Sequence, residues 1–514
     1  MLESVSLLAL VLSFPAATAN AESRSDPPNV IVVVTDDQAA STASPDVMPI
    51  LDRVIASSGS RFVNSVVATP LCCPSRSVFL SGQYGHNNGV LWNSPGYRDL
   101  RRKGNTLPVW MERAGYRTAH VGRYLNGYRF AVDDPAEVAP GWSQWHTVLD
   151  PTSYYSAPFS LNGRLRASGT HPEEHTTAII NRSAVEMVRR FAGRGKRPLF
   201  MVVDQFAPHR SGGPSLVERC AAPGPEPLLA DATAFTGAPL PRPPSFNEVD
   251  VADKPSFVRE RDPYGAAQIA ALERTYGCTL AALQGVDRGI GQIWRELGRV
   301  GERRNTAIVF TSDNGFYFGE HRLSFEKTVP YRESHEVPLL MRLPPDAGAR
   351  RERRVYKLVA NVDLPATILD LAGAEPCRAR ADCRILDGRS LLPLARGDDD
   401  AWPADRAIPL ELDTAGRPAD PNTPCAYFGL RTLNDAFLHH TAVADGDGAC
   451  APTDELEHYD LGADPAQLAN LLPPSTTPLE TALATELARR SEALSDCAGI
   501  EGRDRRSGGR GFCE

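Results

Sequence analysis

Apolar positions along the chain follow two periods. "NVIVVVTDDQ", starting at Asn29, is an unbroken β-branched run that ends in two carboxylates, the pattern of a strand buried on both faces of a parallel sheet. "NTAIVFTSDNG" repeats the design, apolar from Ala307 to Phe310 with Asp313 and Asn314 at the strand's end. "RPLFMVVDQFAPH" is a third version, apolar from Leu199 to Val203 and reaching His209. Between these runs the spacing changes to three and four. Ile269, Leu272, Tyr276, Leu280, Leu283, Val286, Ile290, Ile293 and Leu297 form one stripe, which predicts an amphipathic helix feeding the Asp313 strand. Alternating strands and helices predict a doubly wound α/β sheet, in which ligands bind beyond the carboxyl ends of the strands. The polar clusters at three such ends are therefore expected to converge.

Proline and glycine crowd Ala221 to Asp250, which reads as a long surface insertion bordering the site. After "SLLPLARGDDDAWP" the texture shifts to short strand-like pieces, "CAYFGLRTL" and "AFLHHTAVA", and a last amphipathic helix around Leu479 to Leu494. The expected organisation is an α/β domain over residues 27–400 and a smaller α+β unit, a short antiparallel sheet plus helix, over 401–514. The tail "EGRDRRSGGRGFCE" is expected to be mobile unless Cys513 anchors it.

Composition narrows the class. With 514 residues, 42% hydrophobic and 23% charged, the chain is that of a folded globular protein. A net charge of −8 without a dense Lys/Arg tract argues against a nucleic-acid partner. "MLESVSLLALVLSFPAATANAES" has the apolar run and small-residue end of a secretory signal peptide, with cleavage expected after Ala21 (residues 1–21 removed). Its start lacks the usual positive charge, and a buried N-terminal helix is the alternative reading. No later stretch has the roughly 18 apolar residues of a membrane span. A soluble secreted protein, extracellular or periplasmic, is the expectation. Ten cysteines suit an oxidising compartment. Setting aside Cys72 and Cys73, proximity in the chain suggests Cys377 with Cys383, Cys425 with Cys450, Cys497 with Cys513, and Cys220 with Cys278.

Asp36, Asp37 and Asp313 gathered at one sheet edge could not all stay ionised without a cation. With the amide oxygen of Asn314 the donor set is all oxygen, which suits Ca²⁺ or Mg²⁺ and disfavours zinc. The competing reading is that each acid caps a helix or turn.

"LCCPSRSVFLSG" carries Cys-x-Pro-x-Arg from Cys72 to Arg76, followed by Ser81-Gly82. This resembles the sulfatase family, in which a cysteine is oxidised to formylglycine. The resemblance extends through "TSDNG", "NVDLPATILDLAG" and "ELEHYDLGADP", with "LCCPSR" and "GRYLNGY" closest to the N-acetylglucosamine-6-sulfatase branch. It implies an alkaline-phosphatase-like doubly wound mixed sheet flanked by helices, and a hydrolase of sulfate monoesters, on sulfated sugars or aryl sulfates. It implies Ca²⁺, with Mg²⁺ possible, held by Asp36, Asp37, Asp313, Asn314 and the modified Cys72. A formylglycine-generating enzyme is then a partner during maturation. Arg76 matches the arginine supporting the formylglycine, His209 the histidine near the leaving oxygen, and Lys327 the sulfate-binding lysine. Two positions depart from the family. Arg123 stands where a lysine is usual, and Leu125 beside Asn126 where many relatives have histidine, which makes Asn126 the candidate to orient the geminal diol. His86 and His321 either line the mouth or bond loops. The rivals are a phosphodiesterase or phosphonate monoester hydrolase on the same scaffold, and a non-catalytic secreted binding protein with Cys72 unmodified.

Overall fold

A computed structural model describes residues 27–134, 136–149, 153–193, 195–213, 215–221, 223–348, 350–416, 423–445, 447–472, 482–505 and 509–514. The expected signal peptide lies outside the described residues.

The β-branched runs form the strands they predict. Ten strands, β1 (Asn29–Thr35), β2 (Ser60–Val66), β3 (Arg117–Arg123), β4 (Gln144–Val148), β5 (Pro158–Leu161), β6 (Arg164–Ala167), β7 (Leu199–Asp204), β8 (Thr306–Ser312), β9 (Leu339–Arg342) and β10 (Arg353–Ala360), make one mixed sheet. Its order is β10-β2-β9-β8-β1-β7-β3-β4-β5-β6. The centre, β8-β1-β7-β3-β4, is parallel. β9 runs against β8 and β2, and β5 and β6 form an antiparallel edge. The three runs singled out above are thus adjacent strands.

β1 shows why a continuous apolar run is needed at the centre. Successive side chains point to opposite faces, so Ile31 and Val33 join one core with the helices Thr176–Phe191 and Ala266–Arg299. Val30, Val32 and Val34 join a second core with the helices Cys72–Ser81 and Asp363–Ala372. Burying each such side chain contributes roughly 1.5–3 kcal/mol. The long helix spans the predicted stripe, and the stripe residues from Leu272 to Leu297 are all buried.

A hairpin of β11 (Cys377–Ala379) and β12 (Asp382–Cys383) precedes a four-stranded antiparallel sheet, β13 (Ile408–Asp413), β14 (Pro424–Arg431), β15 (Asp435–Ala444) and β16 (Cys450–Asp460). The helix Ala482–Ser495 packs on it. This sheet shares a core with the main body, where Ile408, Leu430 and Phe437 meet Val66, Val78 and Leu358. All four expected disulfides are present. The tail is anchored: Cys513 is bonded to Cys497, and Glu514 pairs with Arg389 and Arg406. The proline-rich segment contains one short 3₁₀ turn, Leu229–Asp231, and is stitched to the loop after β8 by a Phe246–Glu320 bridge. It is packed onto the body there rather than lying free on the surface.

Candidate active site

Four neighbouring strands, β8, β1, β7 and β3, deliver polar residues to the same carboxyl edge. Asp36 and Asp37 follow β1, Asp313 and Asn314 follow β8, Asp204 ends β7 with His209 beyond it, and Arg123 ends β3 with Asn126 beyond it. Parallel register sets Thr35 beside Ser312 and Val34 beside Asp204. The chain after β2 adds the helix Cys72–Ser81, whose first residue is Cys72, with Arg76 one turn on. Asp37 takes a left-handed φ of 62°, which Asp tolerates better than most side chains.

The ten residues that the family resemblance places at the site, Asp36, Asp37, Cys72, Arg76, Arg123, Asn126, His209, Asp313, Asn314 and Lys327, join one connected cluster. Cys72 Sγ lies 3.6 Å from Asp36 Oδ1 and 3.2 Å from Lys327 Nζ. Lys327 donates to Asp37 Oδ1 at 2.6 Å, and His209 Nε2 stands 3.6 Å from Asp37 Oδ2. Asn314 Nδ2 donates to Asp37 Oδ1 at 2.8 Å. Arg123 pairs with Asp36 and donates to Asn126 Oδ1 at 3.1 Å. Arg76 donates from Nε to Asp313 Oδ2 at 2.9 Å and from Nη1 to Asp204 Oδ1 at 2.6 Å. Asp36, Asp37, Asp313, Asn314 and Cys72 are all less than 5% exposed.

The electrostatics follow from burial. Desolvation pushes the Cys72 thiol up to about 12, with Lys327 opposing and Asp313 and Asp37 adding to the rise. Such a thiol stays protonated and makes a poor thiolate nucleophile. Burial lowers Lys327 most strongly, but Asp37, Cys72 and Asp313 together outweigh it and hold the ammonium above its usual range. His209 is pushed well below its ordinary value, first by desolvation and then by Lys327 and Arg123.

The oxygens of this cluster fit a hard divalent cation. Asp36, Asp37, Cys72 and His209 offer ligand atoms within 4.8 Å of one another. Asn314 Oδ1 is buried without a hydrogen-bond partner among the described residues, an orphan that a cation would satisfy. Asp313 is more committed: Oδ1 accepts from the backbone of Asp37 at 3.1 Å and of Asn314 at 2.8 Å.

The two weaker histidines lie elsewhere. His86 Nδ1 is 2.7 Å from Glu411 and its Nε2 faces the Cys497 carbonyl, so it ties the main body to β13 and the tail. His321 is fully buried, 2.7 Å from Glu248. Leu125 points into the core, leaving Asn126 as the polar neighbour of Arg123. Two residues of the cluster escaped the sequence reading. Asp204 holds Arg76, and the buried His120 holds Asp204 at 2.9 Å. The signal for Asp204 was present in "FMVVDQ", a carboxylate ending a buried strand as in "VVVTDD". His120 lies inside β3 and carried none.

Residues 28–374 match the sulfatase family profile. The chain belongs to the sulfatase family. The chain is similar to the human (Homo sapiens) N-acetylglucosamine-6-sulfatase, 28% identical over 524 residues, covering 96% of this chain and 89% of that protein. It is 32% identical over 374 residues to an extracellular sulfatase Sulf-1 homologue of Caenorhabditis elegans, covering 71% of this chain but 49% of that one, so it spans about half the relative's length. A solved protein in complex with its substrate D-glucosamine-2-N,6-O-disulfate shares the fold, with a TM-score of 0.68, 24% identity and coverage of 91% of this chain and 97% of that one.

One glycine of this sulfatase edge is fixed by contact. Gly122 has φ +112°, and a Cβ there would sit 1.8 Å from the Asp204 carbonyl oxygen. Gly122→Ala is expected to cost about 2 kcal/mol or more in urea unfolding, and to lower activity by displacing Arg123.

Proposed function

We propose that this chain is an exported sulfatase that hydrolyses sulfate monoesters, with sulfated sugars of the N-acetylglucosamine-6-sulfate type as its substrate class. It acts through a formylglycine made from Cys72 and a bound divalent cation, Ca²⁺ or Mg²⁺. The observation that carries this reading is the seat of Cys72: the first residue of a buried helix, 3.6 Å from Asp36 and 3.2 Å from Lys327, inside a carboxylate cluster. The near full-length similarity to an N-acetylglucosamine-6-sulfatase supports the sugar. Four disulfides support export to an oxidising compartment.

Asp36, Asp37, Asp313 and Asn314, with the modified side chain 72, would hold the cation, which would supply positive charge for the ester's nonbridging oxygens. Converted to an aldehyde, side chain 72 supplies a hydrated pair of hydroxyls, one to attack sulfur and one to expel sulfate. Lys327 and Arg123 neutralise charge that builds on the ester oxygens. His209 and Lys327 face the leaving alcohol oxygen: the charged Lys327 carries the proton to deliver, and His209, kept uncharged by burial and the neighbouring cations, donates a hydrogen bond there. Arg76, anchored by Asp313 and Asp204, orients the group at position 72. Arg123 reaches further than a lysine and divides its donors between Asp36 and Asn126, so it also fixes Asn126, which would orient the diol.

Tandem mass spectrometry across the peptide containing Ser75, on protein from a host with the maturation enzyme, tests this directly. The mass of formylglycine at position 72 is expected, and a thiol there in active protein overturns the reading. Arg123→Ala is expected to raise KM and lower kcat, reducing kcat/KM by about 10²–10³-fold. Unchanged kinetics would remove Arg123 from the site.

A further inference from the structure

We propose that Asp204 is a specificity-determining residue: its buried charge behind Arg76 makes the site select singly charged esters over doubly charged ones. This rests on the proposed sulfatase reading and deepens it.

The cluster contains three strong cations, Arg76, Arg123 and Lys327, and the three carboxylates of the cation group, Asp36, Asp37 and Asp313. Those six cancel, so a divalent ion leaves a surplus of two positive charges for the substrate. Asp204 is a fourth carboxylate with a different set of partners. Its Oδ1 takes Arg76 Nη1 at 2.6 Å and its Oδ2 takes His120 Nε2 at 2.9 Å. It therefore subtracts one unit from that surplus whatever the histidines carry. A sulfate monoester has one negative charge. A phosphate monoester has two above its second pKa of about 6. With Asp204 in place, the count closes on the singly charged ester.

The charge is also held in place. Arg76 has Nε on Asp313 and Nη1 on Asp204, while its buried Nη2, 3.5 Å from Asp36, has no hydrogen-bond partner among the described residues. Asp204 thus sits one guanidinium width behind the Nη2 donor that faces Asp36. His120 is boxed by Tyr124, Trp142 and Trp145 with centroids 5.0, 5.3 and 5.1 Å away, and its Nδ1 is 2.7 Å from Thr147 Oγ1. Asp204 Oδ2 can only accept, so His120 donates to it from Nε2, and burial lowers the basicity of the ring. Stability alone explains this arrangement poorly. Arg76 already has Asp313, and a buried ion pair often yields no more stability than apolar packing.

The test uses Cys72→Ala protein saturated with Ca²⁺, with binding of three phenyl esters measured by calorimetry at pH 8. The esters are the sulfate and the methylphosphonate, each singly charged, and the doubly charged phosphate. The parent is expected to bind the first two alike and the phosphate roughly tenfold more weakly. Adding Asp204→Asn, whose amide His120 accommodates by switching tautomer, is expected to move the phosphate roughly tenfold closer while the methylphosphonate tracks the sulfate. An unchanged phosphate-to-sulfate ratio, or phosphate and methylphosphonate moving together, overturns the role of Asp204 and leaves the sulfatase reading standing. Failure of the parent to bind either singly charged ester overturns both. Should Asp204→Asn not fold, equal binding of phosphate and methylphosphonate by the parent is enough to sink the proposal.

Discussion

Cys72→Ala is expected to abolish ester hydrolysis, lowering kcat by about 10⁴-fold or more, while the melting temperature changes little. Cys72 is fully buried, so losing its sulfur leaves a small cavity that costs about 1 kcal/mol. The kinetic loss is far larger because the attacking group and the group that expels sulfate are the same side chain. Cys72→Ser separates those roles. A serine hydroxyl there can accept the sulfuryl group but has no second hydroxyl to release it, so rapid mixing is expected to show at most one equivalent of alcohol per protein and no free sulfate. Cys73→Ala is the matched control, since Cys73 is equally buried and its Sγ faces the Asn126 carbonyl at 3.8 Å. It is expected to retain most activity. Turnover by Cys72→Ala at the parent rate would take position 72 out of the chemistry.

What was legible in the sequence was whatever depends on local period and strand ends. β1, β7 and β8 were each readable because a strand buried on two faces needs an unbroken apolar run, and their polar ends followed directly. The disulfides were readable because three of the four pairs are close in sequence, with separations of 6, 25 and 16 residues. The site residues Cys72, Arg76, His209 and Lys327 came from the family resemblance, since nothing local distinguishes Lys327 from a solvated lysine. Asp204 and His120 were missed for a physical reason. Their meaning lies in pairing across β7 and β3, where Gly122 faces Asp204, and single-chain periodicity does not reveal which strands are neighbours. His86 and His321 were ambiguous on the same ground: both found carboxylates, Glu411 and Glu248, more than 70 residues away.

Removing the divalent ion is expected to abolish turnover reversibly and to lower thermal stability. The cause is visible in how the charges pair. Lys327 sits on Asp37 and Arg123 on Asp36, so without an ion these cations are spent on the carboxylates that should hold it. An ion on those oxygens frees them for the ester, and chelation therefore raises KM as well as lowering kcat. At a hundred to a thousand times its Kd, an ion bound only by the folded chain contributes about 3–4 kcal/mol, which a calcium titration followed by thermal melting measures. Asp37→Asn keeps the shape but removes one unit of charge, and is expected to weaken that stabilisation and shift the calcium midpoint upward. Protein purified under metal-free conditions that neither gains stability with Ca²⁺ or Mg²⁺ nor needs them for turnover would favour the capping reading. Asp313 Oδ1 already points that way by accepting the backbone N–H groups of Asp37 and Asn314. Asn314 Oδ1 points the other way, since a cap leaves that buried oxygen with nothing to accept and an ion does not.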